Sequence, residues 1–237
     1  FDRDPATFWE SVSRLERLVS LWRPDVVHTH AGVPACAAAA VRDATHAGFR
    51  LVNHVYNWGA GRPSWMNTMD LSGIRRSDRV ICSARAYRNL LLRSGIPARR
   101  IGYVPWGLDI DALRAAATPR RQGNAGPRIG FLGRIEPRKG QLELVQAFAR
   151  FRDQSPDARL SLVGPVADAG YARRLEQAVR RLHLDDAVSM TGRVRNPHQR
   201  LAGWDLFVSL SADEGQGLAI LEAMALGVPV LARPAAG

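Results

Sequence analysis

Short apolar runs rich in β-branched residues alternate with stretches of helical periodicity along almost the whole chain. Asp25-Val26-Val27-His28, Leu51 to Tyr56, Arg79 to Cys82 and Ile101 to Val104 read as strands. Between them, Ala35 to His46, Trp65 to Arg76 and Ala84 to Ser94 read as helices, and Asn57 to Ser64 as a Gly/Pro loop. An amphipathic helix over Pro5 to Leu21 precedes them, with Phe8, Val12, Leu15, Leu18, Val19 and Trp22 at helical spacing. The pattern lapses from Leu108 to Pro127, where Thr118 to Pro127 is rich in Pro, Gly and polar residues and reads as a linker. It then resumes. Strands are predicted over Arg128 to Leu132, Arg159 to Val163, Ala187 to Met190, Leu206 to Leu210 and Val228 to Leu231. Helices are predicted over Gln141 to Arg152 (Leu142, Leu144, Val145, Phe148 and Phe151 inward), Tyr171 to Leu182, Pro197 to Ala202 and Leu218 to Leu226.

Such alternation with near-continuous apolar strands implies α/β architecture with parallel sheets covered on both faces. Two blocks imply two doubly wound domains, 1–112 and 127–237, joined by a linker over 113–126 and facing a cleft. Ligands in this architecture sit beyond the carboxyl ends of the strands. The chain opens into a helix with no strand before it and closes on a strand with no helix after it, so both blocks are expected to be incomplete.

Composition excludes several classes. Of 237 residues, 46% are apolar and 23% charged, which is globular rather than disordered. The longest apolar run, Pro34 to Val41, is far short of the ~20 residues of a membrane span, and the first residues hold no signal-peptide core. Cys36 and Cys82 can form neither a disulfide framework nor a zinc cluster and are expected to be reduced, buried thiols in a cytoplasmic protein. The net charge is +11, but the basic residues are scattered, which argues against a nucleic-acid partner. Lys139 is the only lysine among 33 basic residues. A lysine kept where arginine is otherwise used marks a place that needs a compact ammonium.

Two constellations carry chemistry. Gly133-Arg134-Ile-Glu-Pro-Arg-Lys139-Gly140 follows an apolar strand and precedes a helix. Arg134 and Lys139 there can hold a diphosphate, or form a solvated basic turn. It is not a phosphate loop, which needs Lys followed by Ser or Thr. In Glu214-Gly215-Gln216-Gly217-Leu218-Ala-Ile-Leu-Glu222, a strand again runs into a helix through two glycines. Backbone amides and a helix N-terminus make an anion site. Glu222, in that helix, can accept from two vicinal hydroxyls, or it is a solvated face residue; Glu214 can equally be a helix-cap acid.

Together these motifs resemble the C-terminal domain of GT-B glycosyltransferases, with two Rossmann-like domains, and in particular the retaining family 4. That family carries a Gly-Arg…Lys-Gly turn and two glutamates with seven residues between them. Asp78-Arg-Val-Ile-Cys-Ser83, Val104-Pro-Trp-Gly-Leu-Asp109 and Asp25-Val-Val-His28-Thr-His30 resemble segments of its N-terminal domain. The resemblance implies transfer of a sugar from a UDP- or GDP-linked donor to a hydroxyl, with retention and without a metal or other cofactor. It implies that Arg134 and Lys139 bind the donor phosphates with Gly133 and the amides of Gly215, Gln216, Gly217 and Leu218. Glu222 would hold the ribose, Glu214 face the transferred sugar, and backbone from Gly192 to Val194 meet the base. His54 would line the sugar site from the other domain, with His28 structural and His30 left open. Gln216 stands where Phe is commonest and Trp106 where Asn is usual, which alters pocket shape without removing a charge. A glycan or lipid-linked acceptor of the cell envelope is expected, with peripheral contact at the inner membrane face. A non-catalytic nucleotide-sugar-binding module or a nucleotide-sugar epimerase of the same fold is the alternative.

Overall fold

The computed structural model describes residues 6–56, 64–117 and 126–235. Most of the predicted loop at 57–64 and of the predicted linker lies outside them. The chain forms two compact units that divide between Trp106 and Gly107.

The first unit is a four-stranded parallel sheet, β1 (Val26–His30), β2 (Arg50–Val55), β3 (Arg79–Cys82) and β4 (Ile101–Tyr103), in chain order. Helices α1 (Ala6–Trp22), α2 (Gly32–Thr45), α3 (Ser64–Arg76) and α4 (Arg85–Arg93) alternate with the strands. The small side chains of α2 let α3 come within backbone contact. A Cβ on Gly32 would overlap the backbone of Asp70, and one on Gly73 would overlap Gly32 O and Cys36 N. Glycine is required at both places by this approach, not by backbone conformation. α1 lays Phe8 and Val19 into the core, but Leu18 is exposed and Trp22 is 73% exposed. Only part of its apolar periodicity therefore faces inward. Cys82 is buried, and burial pushes its thiol pKa up against the opposing pull of Arg88. Cys36 is half-buried, not buried as expected, because it sits at the edge of the small cluster of Phe8, Val33 and Ala37.

Asp78 ties this unit together. Its carboxylate accepts from the Leu51 N–H at 2.8 Å and from Arg42 Nη1 at 2.7 Å, joining the start of β3 to β2 and α2. Burial pushes its pKa up, but the Leu51 amide and the Arg42 charge outweigh burial and hold it below its ordinary value.

The second unit is a five-stranded parallel sheet in the order β7-β6-β5-β8-β9. The strands are β5 (Arg128–Leu132), β6 (Arg159–Val163), β7 (Val188–Gly192), β8 (Leu206–Ser209) and β9 (Val230–Ala232). Helices α6 (Gln141–Arg152), α7 (Ala169–Arg181), α8 (Pro197–Ala202) and α9 (Leu218–Ala225) connect them. The order reverses between β5 and β8, which makes their carboxyl ends the switch point of the sheet. Gly130 in β5 leaves room for the Trp204 ring, which would overlap any Cβ there.

Three features depart from the sequence reading. Ile110–Ala115, read as aperiodic, forms a helix, α5, capped by Asp109 and bonded through Arg114 Nε to Ala225 O at 3.3 Å. It therefore belongs with the second unit. Phe151, expected inward, is 40% exposed, because it sits on the last turn of α6 at the end of the buried stripe. Val228 closes the end of α9 by donating to Ala223 O, and Pro229 has no N–H, so β9 begins only at Val230.

The Asp78 tie makes stability pH-dependent. Its folded pKa is below the unfolded value of about 3.9, so its stabilisation is complete above that value and is lost as pH falls through the folded pKa. Asp78→Asn should cost about 1–3 kcal/mol at pH 7. Denaturant melts between pH 5 and 3 should show the wild type losing more stability than the variant.

Candidate functional site

The Gly133–Gly140 segment leaves β5 and the Leu210–Gly217 segment leaves β8, so both signature motifs stand side by side at the switch point. The two segments are bonded to each other. The Ala212 N–H donates to Arg138 O at 2.9 Å, and Arg138 Nη1 donates to Asp213 O at 3.0 Å. Gly140 adopts φ +73° as α6 begins, and a Cβ there would stand 2.7 Å from Leu210 O. Only glycine satisfies both the left-handed turn and the close approach.

Lys139 and Glu214 form an ion pair across this junction, with side chains 12% and 19% exposed. Charges so placed are costly to leave unpaired, so each carboxylate or phosphate that meets Lys139 does so in competition with Glu214. Arg134 is more open. Its Nη2 lies 3.1 Å from Glu136 Oε1, and Arg138 Nε lies 2.8 Å from the same oxygen. Glu136 is thus the hub that aims two guanidinium groups. Gln141 is fully buried and donates from Nε2 to Arg134 O at 2.8 Å, fixing the backbone of the turn.

Gly217 has φ +64° and starts α9, which no side chain caps. The N-terminus of α9 therefore opens beside Gly215 and Gln216 with the positive end of its dipole. Leu218 is partly exposed there. Glu222 lies one turn further on, its Oε1 3.5 Å from Nε2 of His198 on α8. Gly192 ends β7, with φ +64° and open space around it, and Val194 packs against the Leu201, Trp204 and Phe207 cluster. The strand between them contributes Gly164, whose N–H donates to Gly192 O, while the Gly133 N–H donates to Val163 O. A Cβ on Gly164 would overlap Gly133 O. Glycines thus end or follow three adjacent strands, leaving the backbone there bare.

Arg134, Lys139, Glu214 and Gly215 to Leu218 are therefore brought together by β5 and β8, with Glu222 one helical turn away. Gly192 and Val194 stand two strands along. Glu136, Gln141 and Gly164 escaped the sequence reading. Gly164 had a signal, since it follows an apolar strand as Gly133 does; Gln141 had one in being polar on an otherwise apolar inward face. Glu136 had none, because its role depends on the path of the turn.

His54 lies in the first unit, on β2 beside His30 of β1 in the sheet register. Its ring stacks with Tyr56 at 4.3 Å and with Trp106 at 5.8 Å between centroids, and His28 lies 6.2 Å away. Burial, then the neighbouring His30 and His28, lower its pKa, and burial followed by His30 lowers that of His28. His28, read as structural, is exposed at the face of this ring cluster.

A reversed-order parallel sheet with helices between its strands defines a Rossmann-like class of domain. Comparison with known proteins narrows it. Residues 1–112 match the model of Glycosyltransferase Family 4, and residues 126–237 match that of Glycosyl transferases group 1. The chain belongs to the GT-B glycosyltransferases of family 4. It is 28% identical over 251 residues to the D-inositol 3-phosphate glycosyltransferase of Pseudarthrobacter chlorophenolicus, covering 96% of this chain and 59% of that one. It is 34% identical over 158 residues to a GDP-mannose-dependent α-(1-6)-phosphatidylinositol monomannoside mannosyltransferase of Mycobacterium tuberculosis, covering 60% of this chain and 40% of that one. The fold is shared with Anabaena HepE in complex with UDP-glucose, at a TM-score of 0.80 and 24% identity over 99% of this chain and 66% of that one. The chain thus spans less than two thirds of the length of these proteins.

The junction should be sensitive to one methyl group. Gly140→Ala should cost about 2–4 kcal/mol, from the left-handed backbone and from overlap with Leu210. Gly227 has a similar φ of +70° but open space, so Gly227→Ala should cost only about 1 kcal/mol. Urea melts of the two variants isolate the contribution of the contact.

Proposed function

We propose that this chain carries the donor-handling machinery of a retaining glycosyltransferase, which moves a sugar from a UDP- or GDP-linked donor to a hydroxyl acceptor. The observation that carries the reading is the interlocked turn at the switch point, where Arg134, Lys139 and the N-terminus of α9 converge. Such a site suits a diphosphate, which needs fixed cations and amides more than it needs hydrophobic contact.

In this reading Arg134 and Lys139 hold the donor phosphates and neutralise the leaving diphosphate, with amides of Gly215 to Leu218 beside them. Lys139 exchanges its partner Glu214 for phosphate. That frees the Glu214 carboxylate to face the sugar, where positive charge develops as the glycosidic bond breaks. Glu222 accepts from the ribose hydroxyls, and backbone near Gly192 and Val194 meets the base. The leaving group is stabilised by these groups without a metal at the diphosphate. The D-inositol 3-phosphate and phosphatidylinositol monomannoside named for two relatives support a phosphate-bearing or lipid-linked acceptor, and a place in cell-envelope synthesis is part of this proposal. The net charge of +11 suits contact with anionic lipid at the inner membrane face, which flotation with anionic vesicles would detect.

Calorimetric titration with UDP, GDP and ADP tests the reading. One nucleoside diphosphate should bind selectively, and Lys139→Ala should weaken it at least tenfold. Turnover with the matching nucleotide sugar should fall by about 10² or more in Lys139→Ala, the usual loss when one preorganised donor to a developing anion is removed. Unchanged turnover would contradict the assignment, as would release of epimerised free sugar instead of transfer.

A further inference from the structure

We propose that His28, His30 and His54 form a binding site for a borderline divalent transition-metal ion, with Zn²⁺ the best fit. One ring nitrogen from each lies within 4.8 Å of the other two. The arrangement follows from the sheet. Alternation along β1 puts His28 and His30 on one face, and the parallel register sets His54 directly beside His30. Among the described residues, no other three His, Cys, Asp or Glu side chains converge in this way.

Two further observations point to an ion. His54 Nε2 is buried and has no hydrogen-bond partner, an expensive state for a ring nitrogen unless something is meant to meet it. His30 Nδ1 is bonded to the Tyr56 hydroxyl, which leaves Nε2 for a ligand bond. A hydrogen bond on the far nitrogen is the usual companion of a metal-bound histidine. Three nitrogens around one Zn²⁺, at about 2.0–2.1 Å from it, lie roughly 3.4 Å apart. Small rotations of the exposed His28 and His30 rings close the remaining distance.

The donor set selects the ion. Imidazole suits Zn²⁺, Ni²⁺, Co²⁺ and Cu²⁺, whereas Mg²⁺ and Ca²⁺ need oxygen ligands, and no carboxylate belongs to the cluster. Three protein ligands leave at least one coordination position for water or a substrate oxygen. The proposal concerns the first unit alone and stands whether or not the chain transfers sugar.

The test is calorimetric titration of the chain with Zn²⁺ in chelator-free buffer, paired with the visible absorption of added Co²⁺. One ion per chain is expected, with no uptake of Mg²⁺ in the same range. His28→Ala and His30→Ala should each weaken Zn²⁺ at least tenfold and shift the Co²⁺ bands, with melting temperatures close to wild type because both side chains are exposed. His46→Ala and His183→Ala, outside the cluster, should leave affinity within twofold. Equal Zn²⁺ affinity in the His28→Ala/His30→Ala double variant and the wild type would overturn the proposal. So would Zn²⁺ binding no tighter than Mg²⁺.

Discussion

Backbone-to-backbone contact between the segments that leave β5 and β8 fixes the place of the basic turn in the second unit. The two segments are 75 residues apart in the chain at Lys139 and Glu214, yet Ala212 bonds to Arg138 and Gly140 packs on Leu210. The reversal of strand order makes them neighbours, and glycine at position 140 lets them touch. The cations then have no freedom to choose their places. Arg138 is spent on the junction itself, Arg134 is aimed by Glu136, and Lys139 is held by Glu214. A junction assembled in this way is preorganised. In the proposed reading a diphosphate would meet Arg134 already placed, and Lys139 would have only to exchange Glu214 for phosphate.

The first unit reaches order by a different route. Its helices α2 and α3 touch through Gly32 and Gly73, and Asp78 bonds the start of β3 to β2 and α2. The Asp78 tie lies at the amino end of β3, whereas His28, His30, His54 and Tyr56 stack at the carboxyl ends of β1 and β2. The ring cluster can therefore serve binding while the acid–amide tie and the helix contact carry stability.

Much of the fold was legible in the chain because its punctuation is strong. β5, β6, α6 and α8 were bounded to the residue, each by Gly, Pro or a charged break at its ends. α5 was lost because six residues are too few to show a period. The exposure of Phe151, Leu18 and Trp22 was lost because periodicity gives a face, whereas burial depends on what lies opposite that face. The two signature motifs were legible as strand–turn–helix units, and their placement at one switch point follows from the sheet order. What no spacing could show were pairings made across the sheet. Lys139 with Glu214 and His54 with His30 each depend on which strands lie side by side and in what register, and Arg134 with Glu136 depends on the path of a single turn.

Amide chemical shifts followed by NMR during titration with UDP and with GDP test the central claim most directly, namely that the junction of the β5 and β8 segments is the diphosphate site. The account predicts that the preferred nucleotide moves the amides of Gly133 to Gly140 and Gly215 to Leu218 together, while those at the amino ends of the strands stay still. Saturable binding that left these amides unmoved, or that moved only residues elsewhere in the second unit, would contradict it.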